Sequence, residues 1–533
     1  MNDILFKNAT IVDGTGASPR RGDVTVENGR ITGVGTANES AARVIDADGL
    51  CLAPGFIDMH GHTDEALLIN PTAESKITQG VTLELSGNCG SCPAPIVSEH
   101  QRTHIEEWLE KYNVEQRWTS LDEYFGALES SGMAMNLMTL VGHGSLRSAV
   151  VGPDDRPATP DEMAVMRQAV AESMEQGAVG LSSGLVYAPG CYGGTDELVE
   201  LSKPVGEFGG IYATHMRSEG DNVVPAVAEA LTIGEKSGAR VQISHHKACG
   251  PANWGKVNQT LAMIEDARAR GIDAAADQYP YVATSTGLSV NLPRWAHDGG
   301  TEKMLERLKT PDLLPRLRKE TKYQVENGYK NAEQGWIDIV IAGVKTEANK
   351  WAEGLSVADI ARKWQLDYVE AMFRLLLEEE GSVGMVHFTL SEDDVETVMK
   401  RPYVMIGSDA TARAITGPLA TGMPHPRTFG TMPRVLAHYV REKGVLTLED
   451  AVHRMTGLAA ERLGLKDRGK VSEGYVADLT LFDPATVRDA SQFGKPFQLA
   501  EGIPYVFVRG VSVVDEGRVT GSLPGRCLRA GRA

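Results

Sequence analysis

The stretch 159–281 alternates helical patterns with short apolar strands, and its period is about 30 residues. Thr159 and Glu162 around Pro160 form a capping-box sequence, which predicts that a helix begins there. Gly177 predicts the end of that helix. Later glycine stops, each followed by an apolar strand, lie at Gly209, Gly238 and Gly271. Strand and helix in turn at this period are typical of βαβ units, so the stretch is predicted to form a parallel α/β sheet.

Polar residues follow several of these strands. His215, His245 and Asp277 each come directly after an apolar run, and in parallel α/β folds the chemistry lies beyond the carboxyl ends of the strands. His215 and His245 are 30 residues apart, which is one strand–helix unit. Neutral imidazoles are common zinc ligands, so these two are predicted to bind a metal. His246 must point to the opposite face from His245 and is expected not to bind it.

A second pair of histidines, His60 and His62, ends the apolar run 53–59. Residues two apart on a strand point to the same face of the sheet. The two imidazoles are therefore predicted to form half of a divalent-metal site.

Cys89 and Asp409 also stand at predicted strand ends. Cys89 follows the apolar run 81–85 and forms a C-x-x-C pattern with Cys92. A thiolate suits zinc beside imidazoles, while a redox pair or a small buried thiol is the alternative interpretation. Asp409 ends the strand pattern 403–409. A carboxylate there can take a proton from metal-activated water and return it to a leaving group, while a helix N-cap or turn residue is the alternative.

Four further side chains carry weaker signals. Lys247, Tyr279 and Ser285 follow strand ends, and Arg427 lies in a His-Pro-Arg segment beyond Asp409. A guanidinium fork binds a carboxylate well. These residues are candidates for the mouth of the site, with an ordinary surface position as the alternative for Arg427.

Composition narrows the class of protein. The 533 residues include 42% hydrophobic and 23% charged residues, as in an ordinary soluble globular protein, and the net charge is −18. That charge argues against nucleic-acid binding, which needs a basic surface, and against adhesion to anionic membranes. The N-terminus lacks the plan of a signal peptide, no apolar run is long enough to span a bilayer, and the six cysteines form no disulfide framework. A cytoplasmic enzyme with no nucleic-acid or membrane partner is therefore expected.

The two ends of the chain share one pattern, and one internal stretch differs from the rest. Short alternating strands separated by turn signals are predicted at 4–12, 24–34, 43–53, 474–482 and 504–511. The stretch 300–335 is rich in charged residues and is predicted to be a solvated helical insertion or lid.

Together these patterns resemble the amidohydrolase superfamily, and within it the N-acyl-D-amino-acid deacylases, or D-aminoacylases. The resemblance runs nearly end to end and is carried by the segments 55–62, 86–90, 180–185, 214–219, 243–247, 279–281 and 406–409. It implies an α/β fold: a (β/α)8 TIM barrel with a small β-sandwich formed by both termini and a small insertion domain. The implied bounds are 54–285 plus 346–465 for the barrel, 1–53 plus 466–533 for the sandwich and 286–345 for the insertion or lid.

The resemblance also implies roles for the candidate residues. The resemblance implies that one tight Zn²⁺ site has as its ligands Cys89, His215 and His245. A second, weaker metal position is matched by His60 and His62, and the catalytic acid/base by Asp409. The substrate carboxylate and acyl region are matched by Lys247, Tyr279, Ser285 and Arg427. The loop 410–424 before Arg427 is longer than in compact D-aminoacylases.

The resemblance implies zinc-dependent hydrolysis of the amide bond of small-molecule N-acyl-D-amino acids to a carboxylate and a free D-amino acid. A cyclic-amide hydrolase acting on hydantoin- or dihydroorotate-like rings is an alternative, but such relatives carry a carboxylated lysine late in the fourth strand, and 179–184 contains no lysine. A non-catalytic metal-binding barrel would be expected to lack Asp409 or a histidine, and none is missing.

Overall fold

Eight parallel strands form a closed barrel in the computed structural model, which describes residues 2–36 and 40–531. In chain order the strands are Phe56–Asp58, Val81–Ser86, Asn136–Thr139 continued by Val141–Gly142, Gly180–Gly184, Ile211–His215, Arg240–Ile243, Ala274–Gln278 and Val404–Ile406. Each strand pairs in parallel with the next. The backbone N–H of Met59 donates to the carbonyl of Ile406 at 3.1 Å, which joins the first strand to the last. The predicted (β/α)8 barrel is confirmed.

Helices connect the barrel strands. The α-helices outside the insertion are Ala66–Ile69, Glu74–Ile77, Glu99–Glu110, Leu121–Ser131, His143–Val150, Pro160–Gln176, Thr195–Glu207, Val223–Ser237, Val257–Ala269, Glu392–Met399, Arg427–Arg434, Leu448–Met455 and Gly457–Arg462, with a π-helix at Val435–Glu442 and a 3₁₀ turn at Gly190–Tyr192. Thr159 and Glu162 form the predicted capping box, and Gly177 ends that helix with a φ of 105°. Among the described residues, no helix combines the length and the apolar character that crossing a bilayer requires.

Both ends of the chain meet in one nine-stranded sheet. Its strands are Asn2–Ile11, Arg20–Glu27, Arg30–Gly35, Ala41–Asp46, Cys51–Pro54, Leu479–Phe482, Tyr505–Val508, Val511–Asp515 and Arg518–Val519. Cys51–Pro54 pairs with an N-terminal strand on one side and with Leu479–Phe482 on the other. The rings of Phe6 and Phe507 lie 5.2 Å apart although their strands are not neighbours, because the sheet curls over its own core. The predicted sandwich of both termini is confirmed.

The insertion leaves the barrel after the seventh strand and has its own core around Trp336 and Phe373. Its strands, Thr284–Gly287, Ile339–Val344 and Val383–His387, form an antiparallel sheet. Its helices are Gly300–Arg307, Leu314–Glu326, Ala332–Ile337, Val357–Trp364 and Tyr368–Glu378, with 3₁₀ turns at Leu288–Asn291, Arg294–His297 and Glu347–Ala352. The expected end at residue 345 is too early. Val383–His387 is the central strand, so the sheet is complete only when the chain reaches it.

Candidate metal and catalytic centre

The barrel places the candidate residues together at the carboxyl ends of its strands. His60 and His62 follow the first strand, Cys89 follows the second, and Asp409 follows the last. His215 ends the fifth strand, and His245 lies two residues beyond the sixth. Residues that are up to 349 positions apart therefore face one space, as chemistry at this end of a barrel requires.

Two groups of potential ligand atoms share this space. One group is Cys89, His215 and His245, and the other is His60, His62, Cys89 and Asp409; within each group the atoms all lie within 4.8 Å of one another. The Cys89 Sγ lies 3.3 Å from His60 Nε2, 3.4 Å from His245 Nε2 and 3.9 Å from His215 Nδ1. Cys89 belongs to both groups, so the geometry offers two adjacent cation positions with a common sulfur. A donor set of one thiol and imidazoles fits zinc.

Three of these residues have a left-handed backbone. The φ angles are 53° at Cys89, 34° at His245 and 50° at Asp409. A non-glycine residue in this region costs on the order of 1–3 kcal/mol and persists only where the surroundings enforce it. The N–H of His245 donates to Asp277 Oδ1 at 2.7 Å, and the N–H of Asp409 donates to the carbonyl of His60 at 2.7 Å. Three strained backbone positions thus lie at the ends of strands that present functional side chains.

The Cys89 thiol is buried among imidazoles. Burial raises its pKa, but the neighbouring charges of His60 and His245 outweigh burial and hold the pKa of Cys89 well below its usual value. Burial raises the pKa of Cys92 to about 12, and both thiols are free. Cys89 therefore contacts histidines as a potential thiolate ligand.

Asp409 is held as a carboxylate. Its Oδ2 forms an ion pair with Arg427 Nη1 at 2.7 Å, and its Oδ1 lies 3.1 Å from His62 Nε2. Burial raises the pKa of Asp409, yet the Arg427 guanidinium and His245 hold it well below the usual range. An ionised carboxylate beside the metal ligands can accept a proton from water in the same space.

Two acidic residues that the sequence did not assign to the site orient the imidazoles. Glu219 Oε1 lies 3.0 Å from His245 Nδ1, and Glu219 Oε2 lies 3.6 Å from His215 Nε2. Asp277 Oδ1 lies 3.3 Å from His60 Nδ1. Carboxylates on the far nitrogen of a ligating histidine select its tautomer and ring orientation. The position of Asp277 at a strand end was a usable signal, whereas Glu219 comes four residues after His215 and only the fold brings it back to the site.

The candidate substrate residues form one cluster around the Tyr279 ring. Lys247 Nζ lies 5.4 Å and Arg427 Cζ 4.7 Å from its centroid. Lys247 also pairs with Glu219 at 2.5 Å, and Arg427 donates to the carbonyl of Ser285 at 3.2 Å. Arg427 therefore lies in the site although the preceding loop 410–424 is long.

His246 lies outside this cluster, in the orientation that the strand phase predicts. Its Nε2 is 2.9 Å from Thr260 Oγ1. Burial lowers the pKa of His246 to about 4. His246 is therefore a buried neutral residue that packs on the helix behind the strand.

The chain is similar to known proteins over its whole length. The sequence pattern of an amidohydrolase family, Amidohydro_3, matches residues 43–514. D-aminoacylase of Alcaligenes xylosoxydans xylosoxydans is 37% identical over 99% of this chain and 97% of its own length. N-acyl-D-aspartate deacylase of the same organism is 36% identical over 100% of this chain and 96% of its own length. The crystal structure of N-acyl-D-glutamate deacylase from Bordetella bronchiseptica, complexed with zinc and a phosphonate inhibitor that mimics the tetrahedral intermediate, aligns with a TM-score of 0.82 at 34% identity and covers 99% of this chain and 100% of that one.

Proposed function

We propose that this chain, which belongs to the amidohydrolase family and within it to the D-aminoacylases, hydrolyses N-acyl-D-amino acids. The products are a carboxylate and a free D-amino acid, and the metal is Zn²⁺. The observation that carries this proposal is the meeting of Cys89, His215 and His245 beside an ionised Asp409. The cyclic-amide alternative is not favoured, since the fourth strand, Gly180–Gly184, contains no lysine.

The donor atoms favour one tight and one weaker metal position. A thiolate and two imidazoles at Cys89, His215 and His245 suit zinc and leave room for a further ligand. His60 and His62, with Asp409, provide the second position. A zinc ion bound in the first position would polarise the amide carbonyl as a Lewis acid and would lower the pKa of water to about 7.

Asp409 is proposed as the general base and then the general acid. Its carboxylate accepts the proton of the attacking water and returns that proton to the departing amine, without which the C–N bond does not break. The Arg427 and His62 contacts keep Asp409 ionised before the reaction. General acid/base catalysis of this kind contributes about 10²–10⁴-fold.

The cluster around Tyr279 is proposed to bind the substrate carboxylate. Lys247 and Arg427 are cationic and flank the ring. Among the described residues, the buried Tyr279 hydroxyl has no hydrogen-bond partner, so a ligand oxygen would satisfy it. Ser285 belongs to the first strand of the insertion, and we propose that the insertion, observed from Thr284 to His387, covers the mouth.

A panel of matched N-acetyl-D- and N-acetyl-L-amino acids tests the proposal. The zinc-loaded protein is expected to release free amine from D-substrates only. Dialysis against a chelator should abolish that release, and added zinc should restore it. Equal rates on both enantiomers, or full activity in the metal-free protein, would contradict the proposal. Neutral and acidic side chains in the same panel identify the preferred D-amino acid.

A further inference from the structure

A fully buried lysine lies beneath the centre and has no role in the proposed chemistry. The Lys76 Nζ lies 2.8 Å from Asp58 Oδ2 and 2.9 Å from Glu84 Oε2. It also donates to the Ser408 hydroxyl and to the Ala410 carbonyl, both at 2.8 Å. Lys76 and both carboxylates are completely inaccessible to solvent. Burying an ammonium group is costly unless it is paired and hydrogen-bonded, and these four contacts meet that condition.

The groups that Lys76 contacts belong to three segments that carry candidate site residues. Asp58 accepts hydrogen bonds from the backbone N–H groups of His60 and Ser408, at 3.2 and 2.8 Å. Glu84 accepts from Thr63 N and Oγ1 at 2.9 and 2.6 Å. One ammonium group thus joins the first strand, the second strand and the loop after the last strand.

The contacts are closest around Asp409. Ser408 and Ala410 are its two chain neighbours, and Lys76 binds both. The Ala410 carbonyl also accepts from the His62 N–H at 3.1 Å. Asp409 itself has the left-handed φ of 50°, a conformation that persists only under such constraint.

We propose that Lys76 is a positioning residue, which holds Asp409 in its left-handed conformation and sets its carboxylate against the metal ligands. The inference rests on the proposed role of Asp409. Lys76 acts through Ser408 and Ala410 and does not reach the substrate. Misplacement of a catalytic group by about 1 Å can cost about 10²-fold in rate.

Lys76→Met tests this by removing the ammonium group and keeping most of the side-chain volume. The expected result is a kcat per bound zinc that is about 10–100-fold lower, as for other residues that support a metal centre, with KM within threefold. Zinc content should stay near that of the parent, because Lys76 contacts none of Cys89, His215 and His245. A folded, zinc-loaded variant with kcat within threefold of the parent would overturn the proposal.

Arg454→Met is the matched control. Arg454 is also a buried cation, but it binds the carbonyls of Arg401 and Val404 at the opposite end of the last barrel strand. The Arg454→Met substitution should reduce thermal stability and leave kcat per bound zinc within threefold of that of the parent. A loss of kcat equal to that of Lys76→Met would mean that any buried cation has the same effect, and it would overturn the inference.

Two further measurements decide the case if Lys76→Met does not fold, and the second of them, a crystal structure, also decides it if the parent is inactive. Ser408→Ala removes only one of the acceptors, and a kcat that is 3–10-fold lower supports the proposal, whereas an unchanged kcat contradicts it. In a crystal structure of either variant, Asp409 should leave the left-handed region or lose its 2.7 Å bond to the His60 carbonyl. An unchanged Asp409 would refute positioning, whereas an inactive parent would refute only the proposed function.

Discussion

Asp409→Asn isolates proton transfer from the rest of the centre. Asparagine has nearly the same shape as aspartate, but it cannot take a proton from water. The substitution removes the ion pair with Arg427 at 2.7 Å and the carboxylate contact to His62 at 3.1 Å. Since general acid/base catalysis contributes about 10²–10⁴-fold, kcat should fall by about 10³-fold, which corresponds to about 4 kcal/mol in the activation barrier.

The metal content should change much less than the rate. Asp409 belongs to the ligand group of His60 and His62 but not to the group of Cys89, His215 and His245. We therefore expect about one zinc ion per chain in the variant, with at most the weaker position lost. Amine release from an N-acetyl-D-amino acid gives kcat, and plasma mass spectrometry on the same sample gives zinc per chain.

Asp489→Asn is the matched control for this experiment. Asp489 pairs with Arg434 at 3.2 Å, and that guanidinium lies over the Tyr281 ring, so the control breaks the same kind of ion pair outside the centre. Its kcat should stay within twofold of the parent. The assignment of Asp409 fails if zinc-replete Asp409→Asn keeps kcat within tenfold of the parent.

Three other variants test the remaining assignments. Cys89→Ala should lower both zinc content and activity, because it removes the sulfur shared by the two ligand groups; a metal-replete variant would refute the ligand assignment. Glu219→Gln should weaken zinc affinity about 10–100-fold in a chelator competition, because its carboxylate lies 3.0 Å from His245 Nδ1, and unchanged affinity would exclude that orienting role. The hydrogen bond from Arg156 lowers the pKa of Glu162 from 4.5 to about 2. The ionised Glu162 therefore stabilises the folded state fully above pH 4.5, and this stabilisation is lost as the pH falls toward 2. The difference in unfolding free energy between the parent and Glu162→Gln, from urea titrations, should therefore shrink between about pH 5 and pH 3, and a difference that grows on acidification would contradict this reasoning.

Signals between near neighbours in the chain predicted much of the fold. Thr159, Glu162 and Gly177 bracket a helix because capping depends on groups within one or two turns. His215, His245 and Asp409 could be selected because an apolar run followed by a polar residue marks a strand end, and parallel strands bring such ends to one edge.

Other parts of the site depend on contacts that have no local signal. Glu219 and Lys76 read as ordinary charged residues, and only the closed barrel shows that they contact His245 and the segments around Asp409. The end of the insertion at His387 was missed because the central strand of its sheet is the last of the three strands in chain order. Strand order is a property of pairing between distant segments, and composition does not encode it.

The chain by itself determined which kinds of side chain stand at the strand ends, since that information is local and periodic. The tertiary structure decided which of them meet. Closing the ring through Met59 and Ile406 brings Asp409 back to His60, and left-handed turns at Cys89 and His245 aim their side chains inward. The physical reason is that ligand geometry is set by backbone direction at each strand end, and that direction is enforced by buried hydrogen bonds between segments that are hundreds of residues apart.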